Sequence, residues 1–359
     1  MDFIEKEISY EEIKKSSEVE GDIYGLTNIS ESEKKAFLSN PNLHDLSKGM
    51  FHLIMADNVV VGRTMPFDTK IKVGDKVSLA SAGSSLYVVE TYRKYNVGAD
   101  LMMRKTSVDY KIAAGISDMA LPLHKIMRFH ILEYPRMMLL CNSRSILEMK
   151  GFRGFALKFS TVLINLPLRL FNNYHRCRSS ILRNNFSIIK ETIVPEWVDD
   201  MIMNDGHKYM EVHDHTWLQW NLDNHFKDDP QDIQSFYSVY DGNTPVGFFM
   251  TKERFREDAG GKLKNIILAA IVEWGIASGY NRLTEAILYK MAVSTFTKNV
   301  DILEFATSDE KVCREMKRWG FIHQGYAHIA FKDMKKDCKD ASDINLWRVR
   351  YGYADVILT

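Results

Sequence analysis

The chain has 359 residues, more than one typical domain of about 100–200 residues, so two domains are expected. Its hydrophobic share of 45% and charged share of 26% are those of a globular protein able to bury a sizeable core. Lys plus Arg and Asp plus Glu number 47 each, and this balance argues against a generally basic nucleic-acid-binding chain, so no DNA partner is expected.

Taken in order, the sequence opens with acidic helices. Ser9 followed by Glu12 is a capping box that predicts a helix over 9–20, and Ser30 with Glu33 repeats the signature before KKAFL. Residues 1–35 hold ten acids against five lysines. The amino terminus, MDFIEKEISYEE, lacks the basic and apolar regions of a secretory signal. Met50–Met55 and Val59–Met65 flank Asp57-Asn58, the pattern of a β-hairpin, and Gly74-Asp75 punctuates the following segment. Leu86–Val89 reads as a buried strand, Glu90–Asn96 as a turn and Val97 onward as a helix. A strand–turn–helix of this kind leaves the first amides of the helix unpaired, aimed at an anion. A strand over Tyr110–Ile116, a helix over Ser117–Met127 and a strand from Phe129 complete this half.

From Ser143 to Asn185 the chain reads as a helical, basic connector broken near Pro167; between 144 and 190 nine Lys or Arg face the single acid Glu148. Arg176, Arg178 and Arg183 are expected to be exposed there, serving as a solvated face or meeting phosphates, an anionic substrate or a membrane surface. Its least polar run, Phe155–Phe171, is interrupted by Lys158, Asn165, Pro167 and Arg169, so no transmembrane span is expected.

The region from Phe186 repeats landmarks of the first. Asp241-Gly242-Asn243 before Pro245-Val246-Gly247 echoes Asp57-Asn58 before Val60-Val61-Gly62, and Lys317-Arg-Trp-Gly320-Phe321 echoes Lys125-Ile-Met-Arg128-Phe129. Gly62 and Phe129 are 67 residues apart, Gly247 and Phe321 74, which argues for a duplicated unit. Strands over Ile266–Ile276 and Ile302–Ala306, helices over Arg282–Thr297 and 309–319, and a final strand over Trp347–Asp355 are predicted.

The turn between Val88 and Ala99 carries a resemblance. Arg93-Lys-Tyr-Asn-Val-Gly98-Ala99, after a strand and before Leu101 and Met102, resembles the acyl-CoA pyrophosphate loop of the GNAT acetyltransferase superfamily, which reads Arg or Gln, two residues, Gly, any residue, then Gly or Ala. Asn96 stands for the first glycine, a substitution that a left-handed position tolerates. Ser117-x-x-Ala120-x-x-Leu123-His124-x-x-x-Arg128-Phe129 likewise falls on the superfamily's Asn-x-x-Ala-x-x-Leu-Tyr-x-x-x-Gly-Phe, with His124 for Tyr and Arg128 for Gly. The second unit has Gly279-Tyr-Asn-Arg282 in place of the loop, without its glycines.

The resemblance implies a mixed-sheet α/β fold of two tandem GNAT-like units, 1–142 and 186–359, joined by the connector 143–185. It implies acetyl-CoA or another acyl-CoA as co-substrate in the first unit only. Val88 and Val89 would offer backbone amides to the pantetheine and thioester, and Arg93, Lys94, Tyr95, Asn96, Val97, Gly98 and Ala99 would hold the pyrophosphate. His124 would protonate the leaving thiolate, or be a helix histidine bonded to nearby backbone; apart from the resemblance, Glu90, the nearest carboxylate past the strand, is read as the general base for a small-molecule or sugar amine. A non-catalytic scaffold of degenerate GNAT folds and an aminoacyl-transferring relative stay open, as does a homodimer. Cys141, Cys177, Cys313 and Cys338 form no C-x-x-C pair, which fits a reducing, cytoplasmic setting. His207, His213, Asp214 and His215 are a weak metal candidate, and none is assigned.

Overall fold

The computed structural model describes residues 2–353 except 17, 105–107, 184–185, 225–231, 259–263, 281 and 297–299, with backbone alone for 172, 175–183 and 258. The first half contains strands β1 (Phe3–Ser9), β2 (Gly49–Ala56), β3 (Val59–Thr64), β4 (Phe67–Val73), β5 (Lys76–Ala82), β6 (Tyr87–Val88), β7 (Tyr110–Ala114) and β8 (His130–Leu140). Its helices are α1 (Tyr10–Lys15), α2 (Glu31–Leu38), α3 (Val97–Met103) and α4 (Leu121–Ile126). Helices α5 (Arg144–Met149) and α6 (Gly154–Arg183) follow. The second half has β9 (Ser187–Glu191), α7 (Val198–Met203), β10 (Tyr209–Glu211), α8 (His215–Asp223), β11 (Ile233–Asp241), β12 (Thr244–Asp258), β13 (Lys264–Ile276), α9 (Glu285–Val293), β14 (Ile302–Ala306), α10 (Glu310–Arg318) and β15 (Ile322–Asp333).

Local chemistry accounts for many boundaries. The Ser9 box closes as expected, its side chain accepting from the Glu12 amide while Glu12 reaches back, although α1 ends at Lys15. Asp57 and Asn58 both sit at positive φ, 50° and 64°, the conformation of a tight hairpin turn. Helix α6 runs through Pro167 without a break, which corrects the expectation of an interruption there: the ring removes one backbone donor, and the exposed helix continues. Arg176, Arg178 and Arg183 lie where side chains are outside the described residues.

The repeated landmarks do the same work in both halves. Gly62 on β3 leaves room for Val97, whose Cγ1 lies only 2.7 Å from where a Cβ would stand, and Gly247 on β12 does so for Leu283 at 2.8 Å. Gly62 thus lets α3, and Gly247 the segment that leads into α9, approach the sheet closely. Arg128 (φ 58°) and Gly320 (φ 87°) both end a helix in the left-handed region. The amides of Phe129 and Phe321 then reach back to the carbonyls of His124 and Met316, each at 3.1 Å, the Schellman arrangement.

The two halves share a sheet instead of building one each. A four-stranded sheet has the order β1-β2-β3-β6, and an eleven-stranded sheet the order β10-β4-β5-β7-β15-β8-β14-β13-β12-β11-β9. The last strand of each unit has crossed into the other: β15 lies between β7 and β8, and β8 between β15 and β14. One buried apolar cluster accordingly joins Phe51 and Phe67 of the first half to Trp217, Phe236 and Trp347 of the second.

Candidate active site

The first unit's site is made by two strands that start together and part. β5 and β7 pair in parallel through Ala80 with Tyr110, Ser81 with Lys111 and Ala82 with Ile112. The Gly83 amide makes the last bond of the seam, to Ile112 O at 2.7 Å. Ser84 then turns its carbonyl to the Met65 amide at 3.0 Å, Ser85 adopts φ 51°, and Tyr87–Val88 joins β3 in the other sheet. Opposite, Gly115 at φ 64° leads the chain away from β7. The gap is a cleft of about 280 Å³ between Ser84–Leu86 and Ala113–Ser117, with Ser81, Arg104 and Lys111 at its floor and His124 and Phe129 in its wall. Among the described residues the amides of Ser85, Leu86, Gly115 and Ile116 have no backbone partner.

The predicted loop lies beside this cleft. Glu90–Tyr95 is a 3-10 helix and Asn96, at φ 64°, is its left-handed end, so asparagine takes the conformation expected of glycine there. The amides of Val97 and Gly98 have no backbone partner among the described residues, whereas Ala99 donates to Asn96 O. Arg93 is exposed, its Nε on Val88 O at 3.1 Å; Lys94, Tyr95 and Asn96 are exposed too. Gly98 faces inward, where an added Cβ would meet Leu123 at 3.4 Å and Val88 at 3.7 Å. Those are ordinary contacts, so space alone does not require glycine.

The structure places the other expected site residues as follows. The Val89 amide donates to Val61 O at 2.9 Å, Val88 lies opposite Gly62 on the edge strand, and Ser85 and Leu86 line the cleft. Glu90 is exposed and is not among the residues lining the cleft. His124 does line it, buried, with Nδ1 2.9 Å from Ala120 O. Since a carbonyl only accepts, Nδ1 carries the proton and Nε2 offers a lone pair. Burial lowers the His124 pKa, opposed by the Ala120 bond, so near neutral pH the imidazole is neutral, its one proton on Nδ1 engaged with Ala120 and its Nε2 able to accept.

Residues that no motif marked complete the floor. Lys111 Nζ donates to Met102 O at 3.2 Å and Arg104 O at 2.9 Å, the last carbonyls of α3. Burial, with Arg104 and Lys332 nearby, lowers its pKa to about 8. A neutral lysine keeps two N–H donors for those carbonyls and one lone pair. Arg104, lowered to about 10 by burial, borders both the cleft and a second cavity of about 110 Å³ lined by Glu7, Tyr10, His52 and Asp68. Ser81 is the other shared residue. Burial and Arg104 hold His52 neutral, with its pKa lowered to about 3.

The second unit has the same split, filled. β13 and β14 pair in parallel through Leu268 with Ile302, Ala269 with Leu303 and Ala270 with Glu304, and β13 then runs on to Ile276 without β14, still paired with β12 on its other side. Along that freed edge lies the chain's own Trp347–Tyr353: the Gly352 amide bonds Val272 O at 2.9 Å, Arg348 and Arg350 both donate to Trp274 O, and the Tyr351 hydroxyl reaches Glu304. This segment was expected to be a strand; among its described residues it makes a single bridge, Trp347 to Tyr209. Asp355 lies outside the described residues.

The plug is held by a buried ionic cluster. Glu273 pairs with Arg348 at 3.0 Å, Arg350 at 3.3 Å and His213 Nδ1, while His213 Nε2 lies 3.3 Å from Glu211 and the ring stacks on Trp217. The histidines once considered as ligands are thus split, with His215 on Asp199 and His207 on Asp205. No group of three or more His, Cys, Asp or Glu able to hold a metal ion occurs among the described residues.

No family model matches the sequence, and no curated protein does. Solved structures do match. A GCN5-related N-acetyltransferase from Anabaena variabilis aligns over 93% of this chain and 73% of its own, with TM-score 0.55 and 9% identity. The N-myristoyltransferase of Saccharomyces cerevisiae with bound myristoyl-CoA aligns over 92% and 79%, with TM-score 0.58 and 10% identity. A probable N-acyltransferase from Enterococcus faecalis aligns over 93% and 73%, with TM-score 0.55 and 12% identity. At such identities the likeness speaks for architecture, and with the repeated glycines, caps and split strands it makes this chain a tandem GNAT fold.

Proposed function

We propose that the protein is an acyl-CoA-dependent N-acyltransferase that binds its acyl-CoA in the N-terminal unit and passes the acyl group to a small-molecule amine. The observation that carries this reading is the contrast between two equivalent splits, one open beside the Arg93–Ala99 loop and one closed by the carboxy-terminal segment. The neighbouring folds include an N-myristoyltransferase with bound myristoyl-CoA, which supports an acyl-CoA without fixing its chain length.

In this reading the loop's amides and Arg93 hold the pyrophosphate, and the thioester enters the cleft with its carbonyl oxygen at the Ser85 and Leu86 amides. These donors stabilise the oxyanion that forms when the amine attacks. The amine arrives from the cavity of Glu7, Tyr10 and His52, past Arg104 and Ser81. As the C–N bond forms, the nitrogen loses a proton to neutral Lys111; as the C–S bond breaks, the ammonium returns that proton to the thiolate. One group with a pKa near 8 suits both transfers. Arg104, beside the path, favours an acceptor that also bears a negative charge.

A ligand that binds only the folded state raises the melting temperature. Acyl-CoA is expected to do so for wild type and for Gly98→Ala, whose added methyl meets only ordinary contacts, and Gly98→Glu is expected to abolish the shift by setting a carboxylate against the pyrophosphate. Absence of a shift in wild type with every acyl-CoA tested would refute the proposal.

A further inference from the structure

Helix α6 carries an apolar face that the rest of the molecule leaves bare. Phe155 is 82% exposed, Phe159 59%, Leu163 62%, Leu166 60% and Leu170 64%. Their spacing of three or four residues stacks them into one stripe covering roughly a quarter of the helix circumference at 3.6 residues per turn. The run Gly154–Phe171 is long and apolar enough to cross a bilayer, and only 6% of it is buried, so it is not a core helix. Scattered apolar residues on a surface need no explanation, whereas a contiguous stripe of this kind does.

The surroundings say what covers it. Lys158 and Arg169 are exposed on the flank of the stripe, and from 144 to 190 nine Lys or Arg accompany the single acid Glu148. A second copy of the same helix would bring like charges together, whereas an anionic surface neutralises them. The opposite face is fixed to the body. Asn165 is buried, its side-chain oxygen accepting from the Ser143 amide at 2.8 Å and its amide group donating to Asn142 at 2.7 Å. Phe171 packs over Gly320, where a Cβ would stand 2.3 Å from its ring. A helix tied side-on at its middle lies along a membrane and does not cross it.

We propose that α6 docks the protein on an anionic lipid bilayer, with the Phe155–Leu170 stripe in the acyl-chain boundary and the flanking cations at the headgroups. Side chains of the stripe contribute by leaving water, and the cations by attraction that salt weakens.

The test is co-sedimentation of the full chain with vesicles of phosphatidylcholine alone and of phosphatidylcholine with phosphatidylglycerol. Binding to the anionic vesicles is expected, weakening at high salt and falling about tenfold or more in Phe159→Glu/Leu163→Glu, which touches only exposed positions and should retain the wild-type circular dichroism spectrum. Lys158→Glu/Arg169→Glu should lose the preference for anionic lipid. No binding of wild type to anionic vesicles, or binding that the stripe variant leaves unchanged, would overturn the proposal. So would sedimentation equilibrium showing a dimer that the stripe variant dissociates, which would assign the stripe to self-association.

Discussion

Replacing Lys111 by methionine is expected to lower acyl transfer by on the order of 10²–10⁴-fold, the usual cost of removing a general acid–base group. Burial, reinforced by Arg104 and Lys332, brings the wild-type pKa to about 8, so kcat/KM should rise with pH toward a plateau above about 8. The variant should lose that limb. Methionine fills a similar volume and carries no charge to desolvate, but it leaves the Met102 and Arg104 carbonyls without their donor, so a loss of about 1–3 kcal/mol is expected at neutral pH, and acyl-CoA should still shift the melting temperature. A variant that keeps the wild-type pH profile would remove Lys111 from the chemistry.

The second large effect concerns stability. Glu273→Ala should cost about 3–5 kcal/mol, the usual penalty for leaving buried charges without their partner, because Arg348, Arg350 and His213 all meet on that carboxylate. Urea unfolding at pH 6 measures it. The pH dependence follows from the same cluster. Burial would raise the Glu273 pKa, but Arg348 and His213 outweigh it and lower the value from 4.5 to about 2. Its contribution is present above about 4.5 and is lost as pH falls through about 2. Burial would lower the His213 pKa, but Glu211 and Glu273 outweigh it and raise the value from 6.5 to about 9. That contribution is complete below 6.5 and is lost as pH rises through about 9. The cluster therefore stabilises most between about 4.5 and 6.5. An unaltered unfolding midpoint in Glu273→Ala would contradict this account.

Much of the fold could be read from short-range chemistry. The Ser9 box, the Asp57-Asn58 hairpin and the Asn96 turn are each fixed by a few neighbouring residues and took their expected conformation, and the landmarks Gly62/Gly247 and Arg128/Gly320 recur at equivalent places in the two halves. What the sequence hid depends on distant pairings. Leu86–Val89 looks like one strand because it is apolar, yet the departure from β7 comes at Gly83–Ser85 and sends Tyr87–Val88 to another sheet. The exchange of β8 and β15 has no local signature, since either strand fits either neighbour by its alternation. Trp347-Arg-Val-Arg-Tyr alternates as a strand would, but its arginines point at a carbonyl edge and a carboxylate contributed by β13. Lys111, Arg104 and His52 belong to no spaced motif, and only the approach of β2, β7 and the end of α3 brings them to the cleft and the cavity beside it.

The central claim is that the open split of the first unit holds the acyl-CoA. Its most direct test is the crystal structure of the protein with a non-hydrolysable acyl-CoA thioether. The account predicts the pyrophosphate at Arg93–Ala99, the pantetheine between Ser84–Leu86 and Ala113–Ser117, and the sulfur within reach of Lys111, with Trp347–Tyr353 still filling the second split. Cofactor in the second split with that segment displaced, or an empty first cleft at saturating ligand, would contradict it.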